Sequence, residues 1–190
     1  MLPVVAIVGR PNVGKSTLFN TLTRSRDAIV ADVPGVTRDR QYGYTRIGAI
    51  PAVLIDTGGI VEQAEGIDAR MREQTEKALV EADRILFLCD ARAGVQPADH
   101  YIAAQLRRGG KPVTLAVNKA EGLDGDVVAA DFFTLGFGQP HAISSSHGQG
   151  CLALIDTVTE GLSIGTAPAD DTSAIRVAII GRPNVGKSTL

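Results

Sequence analysis

Gly9, Gly14, Lys15 and Ser16 stand at the spacing G-x-x-x-x-G-K-S, the arrangement in which a short loop wraps a phosphate. Gly14 lets the backbone turn so that several N–H groups point into one anion-sized hollow. The positive end of a following helix adds to their pull. Lys15 supplies a point charge for β- and γ-phosphates, and the Ser16 hydroxyl is placed to ligate Mg²⁺. Arg10, Pro11, Asn12 and Val13 within the loop and Thr17 after it complete the expected phosphate-contacting stretch. Four fixed positions match by chance in roughly one chain in a hundred of this length. Residues 9–18 then occur again, letter for letter, as residues 181–190. Gly181, Arg182, Pro183, Asn184, Val185, Gly186, Lys187 and Ser188 are thus a second copy of the loop, which chance does not produce.

Four further groups lie downstream. Asp56-Thr57-Gly58-Gly59, followed by Ile60, ends an apolar run. A carboxylate there can hold Mg²⁺ through water, and the Gly59 amide can meet a γ-phosphate. Thr37, in an irregular stretch before that run, can offer its hydroxyl to Mg²⁺ when a γ-phosphate is present, which makes the stretch a switch. Asn118-Lys119-Ala120-Glu121 follows another apolar run. The Glu121 carboxylate can accept both N1–H and N2–H of guanine, a donor pair that adenine lacks. Asn118 would bind the base edge or tie loops together, and the Lys119 stem would cover the base. Ser144, Ser145 and Ser146 can turn a backbone N–H toward the guanine O6.

The elements that must carry these groups alternate. Strand patterns at residues 4–8, 41–47, 49–55, 84–90, 112–118 and 140–144 are interleaved with helical ones. The helices are expected after Ser16 and at 66–83, from Pro97 to the stop at Gly109-Gly110, at 124–135 and at 150–162. Gly48 marks a hairpin between the second and third strands, so only that pair should be antiparallel. The pattern predicts an α/β fold: a six-stranded, mostly parallel, doubly wound sheet with helices on both faces. Residues 24–40 read as a loop.

Composition bounds what such a domain can do. At 190 residues with 44% hydrophobic content, the chain can bury one full core. A net charge of −2 gives no overall attraction to nucleic acid or membrane. Cys89 and Cys151 fit no metal spacing and read as reduced core thiols, as in a cytoplasmic protein. Residues 1–162 are expected to form the first domain and 163–174 a linker. Residues 175–190 would be the truncated start of a second domain.

In this order the motifs resemble the translation-factor-type GTPases, whose fold is the P-loop NTPase, Ras-like G domain. The tandem G-R-P-N-V-G-K-S-T-L is similar to the bacterial double-GTPase family Der, also called EngA. That resemblance implies GTP/GDP and Mg²⁺ as ligands, GTP hydrolysis, and work in assembly of the large ribosomal subunit. A second G domain and a small KH-like domain would follow in the full-length protein. It also implies a potassium ligand at Asn12, with K⁺ neutralising charge between the β- and γ-phosphates. Two departures stand out. The family's usual base-reading motif ends in Asp where this chain has Glu121, and many GTPases place a water-orienting glutamine where this chain has Ile60. Both leave a second reading open, a regulatory guanine-nucleotide-binding module with little hydrolysis. An ATP-using kinase is disfavoured by residues 118–121.

Overall fold

Every residue of the first strand, β1 (Val4–Val8), is apolar. Side chains of a strand alternate between faces, so a continuous apolar run has to be covered on both. The computed structural model, which describes residues 2–24, 41–57, 76 and 79–162, shows how this is done. β1 lies inside a six-stranded sheet with β2 (Gln41–Tyr44), β3 (Val53–Asp56), β4 (Arg84–Asp90), β5 (Val113–Asn118) and β6 (His141–Ala142). The order is β2-β3-β1-β4-β5-β6, and only β2 and β3 pair antiparallel. The arrangement is the mostly parallel six-stranded α/β sheet that the pattern predicts, in the Ras-like P-loop form that the resemblance implies.

Helices cover both faces. On one, α1 (Lys15–Thr23) brings Leu18, Phe19 and Leu22 onto Val5, Ile7, Leu54, Leu86 and Leu88. Leu154, Ile155 and Val158 of the last helix, Cys151–Thr159, join the same cluster. On the other face, α2 (Pro97–Gly109) sets Ile102, Ala103 and Leu106 against Ala6, Val8, Ile85 and Phe87. α2 begins with Pro97, has Arg107 and Arg108 in its last turn and ends at Gly110 with φ 65°, as its start and stop signals predict.

From β1 the chain builds outward to β3 and then returns to the far side of β1 for β4. The switch in direction falls between β1 and β4, and the crevice it opens at the carboxyl ends of the strands is where open α/β sheets take ligands. The 9–14 loop leaves β1 there.

Four expected elements differ in extent. The predicted helix over 124–135 divides into α3 (Gly125–Ala130) and a 3₁₀ helix (Asp131–Leu135). Phe132 and Leu135 are three apart and both buried, and the three-residue turn stacks the pair in line on the face that meets the core. The strand predicted over 140–144 pairs only through His141 and Ala142, because Pro140 has no N–H and the edge has no further strand. The hairpin around Gly48 opens early. Thr45 and Ala52 close the ladder, after which the Arg46 amide donates to Leu22 O (2.9 Å) and the Ala49 amide to Asp156 Oδ1 (2.8 Å). The last helix, α4 (Cys151–Thr159), is shorter than the predicted 150–162 because Glu160 leaves helical geometry at ψ 132°. The predicted 66–83 helix lies mostly outside the described residues, although residue 76 and residues 79–81 are helical. No helix among the described residues is long and apolar enough to cross a membrane.

The division of 124–135 makes Phe132 the anchor of its segment. Phe132→Ala is expected to cost about 3–5 kcal/mol in urea unfolding. The neighbouring Phe133, 48% exposed, is expected to tolerate alanine within about 0.5 kcal/mol.

Candidate functional site

The 9–14 loop is shaped by close approach. A Cβ on Gly9 would run into the Leu88 carbonyl of β4, and one on Gly14 into the Asn118 amide nitrogen. Gly14 also has φ 99° and Asn12 φ 65°, so two left-handed residues bracket the buried Val13 and curl the backbone. Pro11, Asn12, Ser16 and Thr17 are exposed at the mouth. Lys15 is buried and folds back over its own loop, its Nζ donating to Gly9 O (2.8 Å) and Arg10 O (2.9 Å). That uses two of the ammonium's three donors. Burial lowers its pKa, with Asp56 opposing that effect and Arg10 adding to it.

Asp56 ends β3 opposite Ile7 and is fully buried. The next residue, Thr57, donates from Oγ1 to Ile7 O at 2.7 Å, which fastens the end of β3 to β1. Ser16 and Asp56 are hydroxyl and carboxylate donors, the hard oxygen ligands that Mg²⁺ requires. Thr37, Gly58, Gly59 and Ile60 lie outside the described residues, and so does the second loop copy at residues 181–188.

Asn118, at the end of β5, joins two loops. Its Nδ2 donates to Val13 O (2.9 Å) and its Oδ1 accepts from the Ser145 amide (2.9 Å). Of the two roles its position allowed, the structure displays the tie between loops. Lys119, with φ 67°, donates from Nζ to Asn12 O (2.8 Å) and to Asp90 Oδ2 (2.6 Å). Burial pushes the Asp90 carboxyl up, but Lys119 and the amides of Arg92 and Ala93 outweigh it and hold it below its ordinary value. The Ala120 amide donates to Ile143 O (3.0 Å), which lays residues 120–121 beside the serine loop. Glu121 accepts from Arg92 Nη2 at 3.0 Å. Its carboxyl is held low by its own backbone amide first, then by the Ser144 hydroxyl and Arg92.

The serine loop is itself braced. Thr21 of α1 donates to Ser145 O at 2.8 Å. The Ser144 and Ser146 hydroxyls both meet His147 Nδ1, at 2.9 and 3.0 Å. Arg10 turns away from the loop's concave side, its Nε at 3.2 and 3.3 Å from the two carboxylate oxygens of Asp99 on α2. Asp99 is fully buried and also accepts from the Gln96 amide. Cys89 lies against it, and burial together with that carboxylate pushes the thiol well above its usual range. Both cysteines are free and buried, as the sequence predicts.

Sequence reasoning thus singled out the loop residues and missed their braces: Thr21, Asp90, Arg92, Asp99 and the seating of His147. Asp90 carried one signal, an acid closing an apolar strand just as Asp56 does. Thr21, Arg92 and Asp99 act across 29 to 124 residues of chain, where no local pattern reports a contact, whereas His147 is seated by its own loop.

Known proteins align with this arrangement. The family model described as "50S ribosome-binding GTPase" matches residues 4–119. The chain is similar to GTPase Der of Cupriavidus metallidurans, with 56% identity over all of this chain and 44% of that protein. It therefore spans less than half the length of that curated relative. Among solved structures, Aquifex aeolicus Era bound to GDP·AlF4⁻ superposes with a TM-score of 0.70 at 32% identity, over 87% of this chain and 58% of that one. Era in complex with MgGDPNP and a segment of 16S ribosomal RNA gives 0.67 at 30% identity, over the same shares.

Removing the Asn118 tie strands a buried carbonyl and a buried amide. Asn118→Ala is expected to lose about 1–3 kcal/mol in urea unfolding. Asn118→Asp, which faces the Val13 carbonyl with an oxygen in place of a donor, is expected to lose at least as much.

Proposed function

The chain belongs to the 50S ribosome-binding GTPases, among the Der proteins, and on that premise we propose that residues 1–162 form a switch domain that binds GTP with Mg²⁺ and hydrolyses it to GDP and phosphate. The observation that carries this reading is the double tie of Asn118, which fixes a phosphate-type loop and a base-type loop in one rigid unit. The Era structures with GDP·AlF4⁻ and MgGDPNP support the ligand class.

In this reading the amides of residues 9–16 and the Lys15 ammonium take the phosphates. Lys15 exchanges the carbonyls of Gly9 and Arg10 for phosphate oxygens. Ser16 and Thr37 would hold Mg²⁺ directly and Asp56 through water, and the ion would neutralise phosphate charge. Gly59 contacts the γ-phosphate through its amide, beside Thr57 and Gly58. At the other end Glu121 accepts the guanine donor pair, Ala120 and the Lys119 stem line the base, and Ser144 to Ser146 offer an amide to O6. Ile60 has no group to orient water, so backbone groups of the switch segments take that part. Asn12, exposed on the loop, is the proposed K⁺ ligand.

Ile60 also sustains the second reading, a regulatory guanine-nucleotide module with little turnover. The role in large-subunit assembly belongs to the full-length protein, with its second G domain and KH-like domain. Residues 175–190 are the start of that second G domain in this proposal, joined by the linker 163–174.

Equilibrium binding of GDP, GTP and ATP, followed by single-turnover hydrolysis with Mg²⁺, tests the proposal. Guanine nucleotides are expected to bind and ATP to fail, and GTP is expected to turn over in the chain itself. Tight guanine binding without turnover would favour the regulatory module. Losing a desolvated charge pair costs about 2–5 kcal/mol, so Lys15→Ala is expected to weaken GDP binding about 30-fold or more. Faster hydrolysis in KCl than in NaCl is the expected sign of the cation at Asn12, and equal rates would remove it.

A further inference from the structure

Glu121 is a longer side chain than base reading needs. A planar N1–H/N2–H donor pair has to meet a carboxylate edge-on, and glutamate carries one more torsion than aspartate that must be fixed before its oxygens face that pair. Unaided, that freedom is lost on binding and weakens it.

Arg92 fixes that torsion. The turn after β4 is set by Asp90, whose Oδ1 accepts the amides of Arg92 (2.9 Å) and Ala93 (3.3 Å). The other oxygen of Asp90 takes Lys119 Nζ, so Arg92 and the backbone leading to Glu121 hang from one anchor. From there Arg92 Nη2 reaches both Glu121 Oε1 (3.0 Å) and the Glu121 backbone carbonyl (3.4 Å). A single guanidinium nitrogen that touches both ends of one side chain restricts every torsion between them. It occupies one lone pair of Oε1, while Oε2, buried beside it, has no hydrogen-bond partner among the described residues and keeps its acceptor capacity.

We propose that Arg92 is a specificity-determining positioning residue, which presents the long Glu121 carboxylate to the guanine edge. This rests on the guanine-nucleotide reading above. Arg92 acts only because residue 121 is glutamate. With aspartate there, the shorter side chain would need no such support.

GDP and inosine diphosphate, which lacks the 2-amino group, are the probes, measured by calorimetry on the 190-residue chain. Arg92→Ala is expected to weaken GDP binding about three- to ten-fold, the cost of ordering one more side chain, and to narrow the preference for GDP over inosine diphosphate. Adding Glu121→Asp to Arg92→Ala is expected to restore both, an outcome that a merely structural arginine would not produce. The Arg92 side chain is 58% exposed, so melting of Arg92→Ala should stay at the parent temperature. Unchanged or tighter GDP binding by Arg92→Ala would overturn the proposal, and so would failure of Glu121→Asp to rescue it. If the parent chain bound GDP no better than ADP, the guanine reading would fall first and Arg92's role with it.

Discussion

The Asn118 side chain is the point on which the rest of the site depends. A neutral amide offers a donor and an acceptor in fixed, opposite directions, and here each meets a backbone group of a different loop. Both partners are buried, so neither can exchange the bond for water without a desolvation cost. Gly14 belongs to the same constraint. Any side chain there would strike the Asn118 amide, so the glycine answers to the asparagine more than to the turn alone. Loop, strand end and serine loop therefore behave as one solid piece, a better platform for a charged ligand than three independent loops would be.

Around that piece the charges are arranged in a ring of ties to backbone. Lys15 and Lys119 both spend donors on carbonyls of the 9–14 loop, from opposite sides. Arg10 fastens the same loop to α2 through Asp99, below the sheet edge. The loop is positively charged in composition, yet its cations are partnered either by carbonyls or by a carboxylate. The whole chain carries a net charge of −2, so any attraction it has for an anion must come from local groups such as these.

Much of this was legible in the sequence, and its limits are physical. β1, β4 and α2 matched their patterns because strand burial and helix caps are local signals, written in runs such as Val4–Val8 and in Pro97 and Gly110. The 124–135 segment did not, because a pair three apart such as Phe132 and Leu135 shares a face in either helix type, so the apolar pattern does not choose between 3.6 and 3 residues per turn. The loop residues were legible because phosphate chemistry restricts their types. Their braces were not. Thr21, Asp99 and Arg92 are ordinary surface-compatible residues in sequence, and their roles exist only once distant strands lie side by side.

The bond from Thr21 to the Ser145 carbonyl crosses 124 residues of chain, and the one from Asn118 to the Ser145 amide closes the same corner. Within this domain the loop made earliest is therefore among the last to be finished. Until residues 143–151 emerge and pack, Val13 and α1 lack the serine loop that braces them. In synthesis from the N-terminus, the domain passes through a long interval in which its earliest motif is complete in sequence and incomplete in shape. A ligand that binds only the closed corner draws the folding equilibrium toward the finished domain by mass action.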